Sequence, residues 1–371
     1  MIGIDIVDVG RVEEILTRHK ERFLRRIATE EERVYLKEHS HPRHVAGLYA
    51  AKEAMAKAEG SGIGVLSFQD IHLLRHESGA LEGWVKGEFY EVSLSHEGGV
   101  AVAVARRRDE RLLHHPYRQE LLHRPRNLHK YSAGAVMIRA GRRHMLGAAR
   151  YATLAALKSG AGIVFLVVSE EAMDAASILI PEAVLLTHEE AKKSLSKCSA
   201  FGFGPGMGRE EKDEELLREA LLTKKPLLLD ADALSLAKGM DHLIHEKVGL
   251  TPHLGEARKF LVEEGEERLS EKAKEWTKKT CGHLLLKGEE NHLFSQGEDL
   301  VFSPGSPALA TAGSGDVLFG MVLGLLDVYP MEKALEVAAR LHGLLGKTFE
   351  REGHLRSSTA EDLLQGISRL F

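Results

Sequence analysis

Residues 106–130, RRRDERLLHHPYRQELLHRPRNLHK, are basic and His-rich, are broken by Pro116 and Pro125, and carry no sustained apolar period. No single core can run through such a stretch. A chain of 371 residues divided there has to build two cores, so we expect a compact unit over 1–106, a linker over 107–128 and a larger unit over 129–371. The smaller unit lies below the usual domain size, and association with copies of itself would add to its core.

The two units have different rhythms. In the larger one the apolar runs GIVFLVV, AVLLT, CSAFGFGPG, PLLLDADAL and LLLKG alternate with helix-like stretches, which predicts a mostly parallel sheet covered by helices on both faces. The smaller one opens on Ile2, Ile4 and Ile6 alternating with Gly3, Asp5 and Val7, a strand with one apolar face and a carboxylate on the other. It closes on EVSLSHEGGVAVAVA, a hairpin with His96 near its turn. Between them HVAGLYAAKEAMAKAEG reads as a helix in which Glu53 and Lys57 stand in the i,i+4 order of an ordinary surface ion pair.

The net charge of −5 provides no global positive field, so a nucleic-acid partner is not expected. Cys198 and Cys281 form no metal or disulfide spacing, no apolar run approaches a bilayer span, and the N-terminus lacks the basic start of a signal peptide. The expectation is a cytoplasmic, soluble protein without a membrane partner. Arg11, Arg18, Arg22, Arg25 and Arg26 fall on one face of a helix at 100° per residue, a surface suited to an acidic protein, although a solvated mixed-charge face would carry the same pattern.

Taken together, GIDIVDVGRV, AAKEAMAKAEGSGIG, LSFQDI and SLSHEGGVAVAV resemble the holo-acyl-carrier-protein synthases over nearly all of residues 1–106. The resemblance implies transfer of the phosphopantetheine arm of coenzyme A to acyl carrier protein, with Mg²⁺ on Asp5 and Glu53, with Glu53 also in a catalytic role. Lys57 and His96 would hold coenzyme A, Arg11, Arg18 and Arg22 would meet the carrier, and the family assembles as trimers. Where that family has RFAAKEA this chain has Leu48 and Tyr49, and where it has GKP this chain has Gly79-Ala80-Leu81.

In the larger unit, PALATAGSGDVLFGMVLGLL places Gly313, Ser314 and Gly315 before a helix whose first turn carries Asp316. Exposed N–H groups and the helix dipole attract an anion there, and Asp316 can take a proton from an attacking hydroxyl. The P-loop lysine is missing. Asp230 and Asp232 in DADAL, and His253 and Glu256 in TPHLGE, stand at strand ends, where open α/β sheets build their sites.

HKYSAG, GPGMG, DADAL, TPHLGE, LLLKG and AGSGDVLFG, in that order over 129–371, resemble the ADP- or ATP-dependent NAD(P)H-hydrate dehydratases, a branch of the ribokinase-like fold. The whole chain is therefore expected to be a small α+β phosphopantetheinyl transferase domain followed by a ribokinase-like α/β domain with a mostly parallel sheet. The resemblance makes Asp316 the general base and residues 313–315 the anion hole. It assigns Ala148, Gly208, His253 and Asp316 to the NAD(P)H hydrate, and Lys287, Gly288, Glu289, Glu290, Asn291, Gly313, Ser314 and Gly315 to ADP or ATP. Two other readings fit the same residues: a small-molecule kinase in the larger unit, and a carrier-docking module without catalysis in the smaller one.

Overall fold

The computed structural model describes residues 2–75, 81–85, 88–107, 117–122, 134–261, 266–302 and 306–370, and separates into two compact units, Met1–Arg111 and Leu112–Phe371. The Gly79-Ala80 positions and residues 129–133 of the HKYSAG motif lie outside the described residues.

The smaller unit is a five-stranded antiparallel sheet ordered β1-β5-β4-β3-β2, with β1 Ile2–Asp8, β2 Ile71–Arg75, β3 Leu81–Val85, β4 Glu88–Glu97 and β5 Val100–Arg107. The expected hairpin is β4–β5, turned by Gly98 and Gly99 with φ of 55° and 84°, the left-handed pair a two-residue turn needs. The helix Pro42–Glu59 starts on Pro42 and stops at Gly60, and its alanines Ala50, Ala51, Ala54 and Ala58 pack against the sheet. The alternation in β1 is present, but its burial is the reverse of a simple amphipathic strand. Ile2, Ile4 and Ile6 are 62%, 54% and 65% exposed, while Gly3, Asp5 and Val7 turn toward the helix. The helix passes so close that a Cβ on Gly3 would stand 2.0 Å from the Ala54 carbonyl oxygen, so β1 cannot present its large side chains to this core.

The basic helix spans Val9–Ile27 but is kinked at His19, where φ is −145° and ψ is 33°. Arg11, Arg18 and Arg22 are all exposed, yet Arg22 lies beyond the kink, so the single continuous face expected of an unbroken helix is not what forms.

The larger unit is a nine-stranded sheet ordered β14-β13-β12-β11-β10-β9-β6-β7-β8. Its strands are β6 Ala135–Arg139, β7 Ile163–Val167, β8 Val184–Leu186, β9 Ala200–Phe203, β10 Leu227–Leu229, β11 Val248–Leu250, β12 His283–Leu286, β13 Asn291–Ser295 and β14 Glu298–Phe302. The strands from β6 to β12 are parallel and, apart from the edge strand β8, buried along nearly their whole length, while β13 and β14 close the other edge as an antiparallel meander. Beyond β6 the strand order reverses, with β7 on one side and β9 on the other, and such a switch point opens a crevice at the carboxyl ends of the strands. One core lies on each face of the sheet. In the first, the helix Ser314–Leu325 crosses Leu146–Lys158 so closely that a Cβ on Gly320 would lie 2.3 Å from the Ala152 carbonyl oxygen.

Part of the expected linker is not free. The short helix Arg118–Leu122 places Tyr117 and Leu121 against the first core of the larger unit, Glu120 accepts a hydrogen bond from the Tyr329 hydroxyl, and the Lys333 ammonium stands 5.2 Å from the centre of the Tyr117 ring.

Candidate active site

Because β10, β11 and β12 are parallel neighbours, the residues just past their ends converge. Asp230 follows β10 and is buried, His253 follows β11, and Lys287 follows β12 with its N–H donating to the Pro252 carbonyl. The Lys287 ammonium lies 3.0 Å from both carboxylate oxygens of Asp230, and 3.6 Å from where a Gly315 side chain would begin. A cation is thus fixed beside the amino end of the helix Ser314–Leu325, whose N-cap is Gly313 at φ 88°. Asp316 stands in the first turn of that helix. Burial and, next, the negative charge of Asp230 push its carboxyl up to about 6 against the pull of Lys287, which leaves it titrating near neutrality. For Asp230 itself burial raises the carboxyl and the Lys287 ammonium holds it back.

A cavity of about 910 Å³ lies against Lys287, Glu289 and Asn291 on one side and Ser306, Thr311 and Ser314 on the other, a volume in the range of small-ligand sites. Asn291 is buried and its side-chain oxygen accepts the Gly288 N–H at 3.4 Å, so it closes the turn that presents Glu289 and Glu290 to solvent. Deeper in, His342 sits 3.1 Å from the Ser314 hydroxyl, and burial followed by the charge of Lys287 drives its imidazole down to about 4. It is neutral at physiological pH and keeps Ser314 in place without adding charge.

On the other side of the crevice the loop after β9 is forced against Asp230. Gly204 has φ 144°, and a Cβ there would lie 1.9 Å from the Asp230 carbonyl oxygen, so only glycine fits. Gly206 then lies against Met145 and Ala148, and the Gly208 N–H donates to Asp232 at 3.0 Å. Ala231, between the two aspartates, is held at φ 46°, a strained conformation for a residue with a side chain. Tyr151, one turn after Ala148 in the helix Leu146–Lys158, packs on the position of Gly313. His253 is largely exposed at the edge of the cavity, its backbone N–H bound by Glu256 at 2.9 Å and its Nδ1 accepting from Gly255 at 3.0 Å.

The structure therefore gathers Lys287, Gly288, Glu289, Asn291, Ser314, Gly315 and His253 around one cavity, which Glu290, Gly313 and Asp316 adjoin in sequence without lining it, and it brings Ala148 against Gly206, two residues before Gly208. Tyr151 and the pairing of Asp230 with Lys287 had no mark in the sequence, and the only hint of His342 was a histidine on the buried face of an amphipathic helix, ARLHGLLG.

In the smaller unit Glu53 does not pair with Lys57. The Lys57 ammonium binds Asp5 at 2.7 Å and the Ile4 carbonyl at 3.2 Å. Glu53 accepts from the Tyr49 hydroxyl, and its carboxyl is raised by burial and by the charge of Asp5, so the two acids lie within electrostatic reach of each other. A divalent cation would relieve that repulsion, and the hard oxygen donors suit Mg²⁺. Among the described residues no group of three such ligands forms, so phosphate and water would have to complete the coordination. The neighbouring Lys52 is wholly buried on Glu32 at 2.6 Å. His96 lies near the end of β4, 2.9 Å from the Arg43 carbonyl, at the rim of a leucine-lined pocket that includes Leu48.

Residues 136–369 match the sequence model of the family described as NAD(P)H-hydrate dehydratase, and residues 1–105 match that of the 4'-phosphopantetheinyl transferase superfamily. The ADP-dependent (S)-NAD(P)H-hydrate dehydratase of Bacillus subtilis is 30% identical over 263 residues, covering 68% of this chain and 95% of that protein. The bifunctional NAD(P)H-hydrate repair enzyme Nnr of Gloeobacter violaceus is 31% identical over 260 residues, covering 66% of this chain. This chain spans about half the length of that and other bifunctional relatives, 51% in this case. Among solved structures, the ADP/ATP-dependent NAD(P)H-hydrate dehydratase from Bacillus subtilis, co-crystallized with ATP/Mg²⁺, superposes with a TM-score of 0.59 at 28% identity, over 71% of this chain and 96% of the other.

Proposed function

The chain belongs to the NAD(P)H-hydrate dehydratase family, and from that premise we propose that its larger unit restores NAD(P)H from its hydrate at the expense of ADP or ATP. The observation that carries this reading is the Asp316 carboxyl, set beside an anion hole with Lys287 fixed next to it. Asp316 takes the proton of the hydrate's hydroxyl, whose oxygen attacks the terminal phosphorus of the nucleotide. With ADP the P–O bond to AMP breaks. The N–H groups of residues 313–315 and the Lys287 ammonium stabilise the charge on the transferring group. Hydroxide is a poor leaving group, but phosphate is a good one. The lone pair of the ring nitrogen expels it, and loss of a neighbouring C–H proton restores the double bond. Ala148, Gly208 and His253 would face the hydrate, and Lys287–Asn291 the nucleotide.

This mechanism requires Asp316 as an anion. Its carboxyl takes up a proton as the pH falls through about 6, so kcat should be flat above that value and fall below it about tenfold per pH unit. A pH–rate profile whose acid limb lies near the ordinary carboxylate value of about 4 would contradict the reading.

For the smaller unit the reading is transfer of phosphopantetheine from coenzyme A to acyl carrier protein, supported by the family match over residues 1–105 and by the two acids Asp5 and Glu53 lying within electrostatic reach of each other. Mg²⁺ held there would neutralise charge building on the pyrophosphate. Glu53 and Asp5 orient that end of coenzyme A, Lys57 offsets their charge, and His96 meets the cofactor about 9 Å away along the Pro42–Glu59 helix, where Gly47 touches its ring. Arg11, Arg18 and Arg22 offer the carrier an exposed basic surface. The outward row of Ile2, Ile4 and Ile6 beside Val104 of β5 is an apolar sheet face of the kind that a homo-oligomer covers.

A further inference from the structure

A fully buried guanidinium lies at the switch point of the larger unit. Arg139, the last residue of β6, donates all five of its N–H groups: Nε to Asp213 at 2.6 Å, Nη1 to the carbonyls of Gly141 at 2.7 Å and Val167 at 3.3 Å, and Nη2 to the Met207 carbonyl at 3.0 Å and to Asp213 at 3.4 Å. Asp213, in the helix Glu211–Leu222, accepts in addition from His188 Nε2 at 2.7 Å, and His188 opens the helix His188–Ser194 that follows β8. One charged group therefore ties together the ends of β6, β7 and β9 and, through Asp213, the segment after β8.

Such a cluster is a poor way to gain stability. Desolvating a guanidinium and a carboxylate cancels most of their attraction, and well-packed apolar groups of similar volume often serve as well or better. What the cluster does supply is direction, because five N–H donors in a rigid fork fix five acceptors at once. Two of those acceptors matter for the site. Gly141 starts the loop that leads to Ala148, and its N–H already donates to the Pro205 carbonyl at 2.8 Å, while Met207 immediately precedes Gly208. The loops are thus bonded to each other and to Arg139, and Gly206 rests against Ala148 as a result. By contrast the anion hole, Lys287 and Asp316 make no hydrogen bond with Arg139, Asp213 or His188 among the described residues.

We propose that Arg139, with Asp213 and His188 behind it, is a positioning residue for the dinucleotide hydrate, holding the Gly141–Met145 loop, which leads into the helix carrying Ala148, and the Gly204–Gly208 loop at the spacing the hydrated nicotinamide requires while leaving the nucleotide side of the site untouched. This inference rests on the dehydratase reading. It is tested in the full chain with Arg139→Met, a side chain of similar length without donors. The KM for NAD(P)H hydrate should rise on the order of 10- to 100-fold, the scale of an ångström-level misplacement, with the KM for ADP unchanged. Amide hydrogen exchange on the same samples should quicken over residues 140–148 and 204–209 and not over 313–317. A lower melting temperature with both KM values unmoved, or an equal rise in both, would overturn the proposal, because either marks a structural role only. Asp213→Asn keeps the shape and one acceptor, should shift the hydrate KM in the same direction by less, and decides the matter if Arg139→Met does not fold. If the wild-type chain fails to turn over hydrate, the dehydratase reading falls, and the exchange comparison, which needs no substrate, still judges the clamp: equal exchange in wild type and variant overturns it.

Discussion

Asp316→Asn is expected to lower the rate of hydrate-dependent phosphate release by about 100-fold or more, the usual loss when a positioned base is removed. Asparagine has nearly the same size, so the helix Ser314–Leu325 keeps its Gly313 cap and its N–H groups remain aimed at the cavity. Lys287 stays bound to Asp230, and the site loses a negative charge, so ADP binding measured by calorimetry should be as tight as in wild type or tighter. The same substitution removes the acid limb of the pH profile, since the group that titrates near 6 is gone. Turnover near the wild-type rate would show that another group takes the proton. A parallel loss of ADP binding would show that Asp316 shapes the site and does no chemistry.

Glu53→Gln should abolish Mg²⁺-dependent transfer of phosphopantetheine, with a loss of about 100-fold or more. The reason is the count of donors. Asp5 already shares an oxygen with Lys57, so Glu53 is the carboxylate best able to hold a divalent ion together with the pyrophosphate, and its amide carries no charge to do so. Mass spectrometry of acyl carrier protein after incubation with the full chain, coenzyme A and Mg²⁺ reads the result directly. If the wild-type chain binds the carrier but adds no phosphopantetheine mass, the smaller unit is a docking module, in keeping with Leu48 buried in an apolar pocket where the resembling family has arginine.

What the sequence carried was the part of the fold written in period and punctuation. The apolar runs of the larger unit became the strands β7 to β10 and β12, the HEGG turn became the β4–β5 hairpin, and Gly313 to Asp316 became the start of a helix facing a cavity. Two kinds of feature were not legible. The burial of β1 depends on how closely the Pro42–Glu59 helix approaches Gly3, a fact of tertiary packing that alternation alone cannot encode. Likewise Glu53 and Lys57 have the spacing of a surface pair, yet Lys57 reaches across to Asp5, because a strand far away in sequence offers the better partner. Lys52, Arg139 and Asp213 are charged residues in full burial, and their partners are 20, 74 and 25 positions distant, beyond any local pattern. The kink at His19 shows the opposite failure, where a continuous pattern of arginines hid a break in the backbone.

The most direct test of the central claim follows the product. The full chain, incubated with NADH hydrate, ADP and Mg²⁺, should regenerate the absorbance of reduced nicotinamide and release one inorganic phosphate and one AMP for each NADH formed, and neither should appear when ADP is left out. Accumulation of a stable phosphorylated hydrate or of another phosphorylated small molecule, without recovery of NADH, would make the larger unit a kinase and contradict the account.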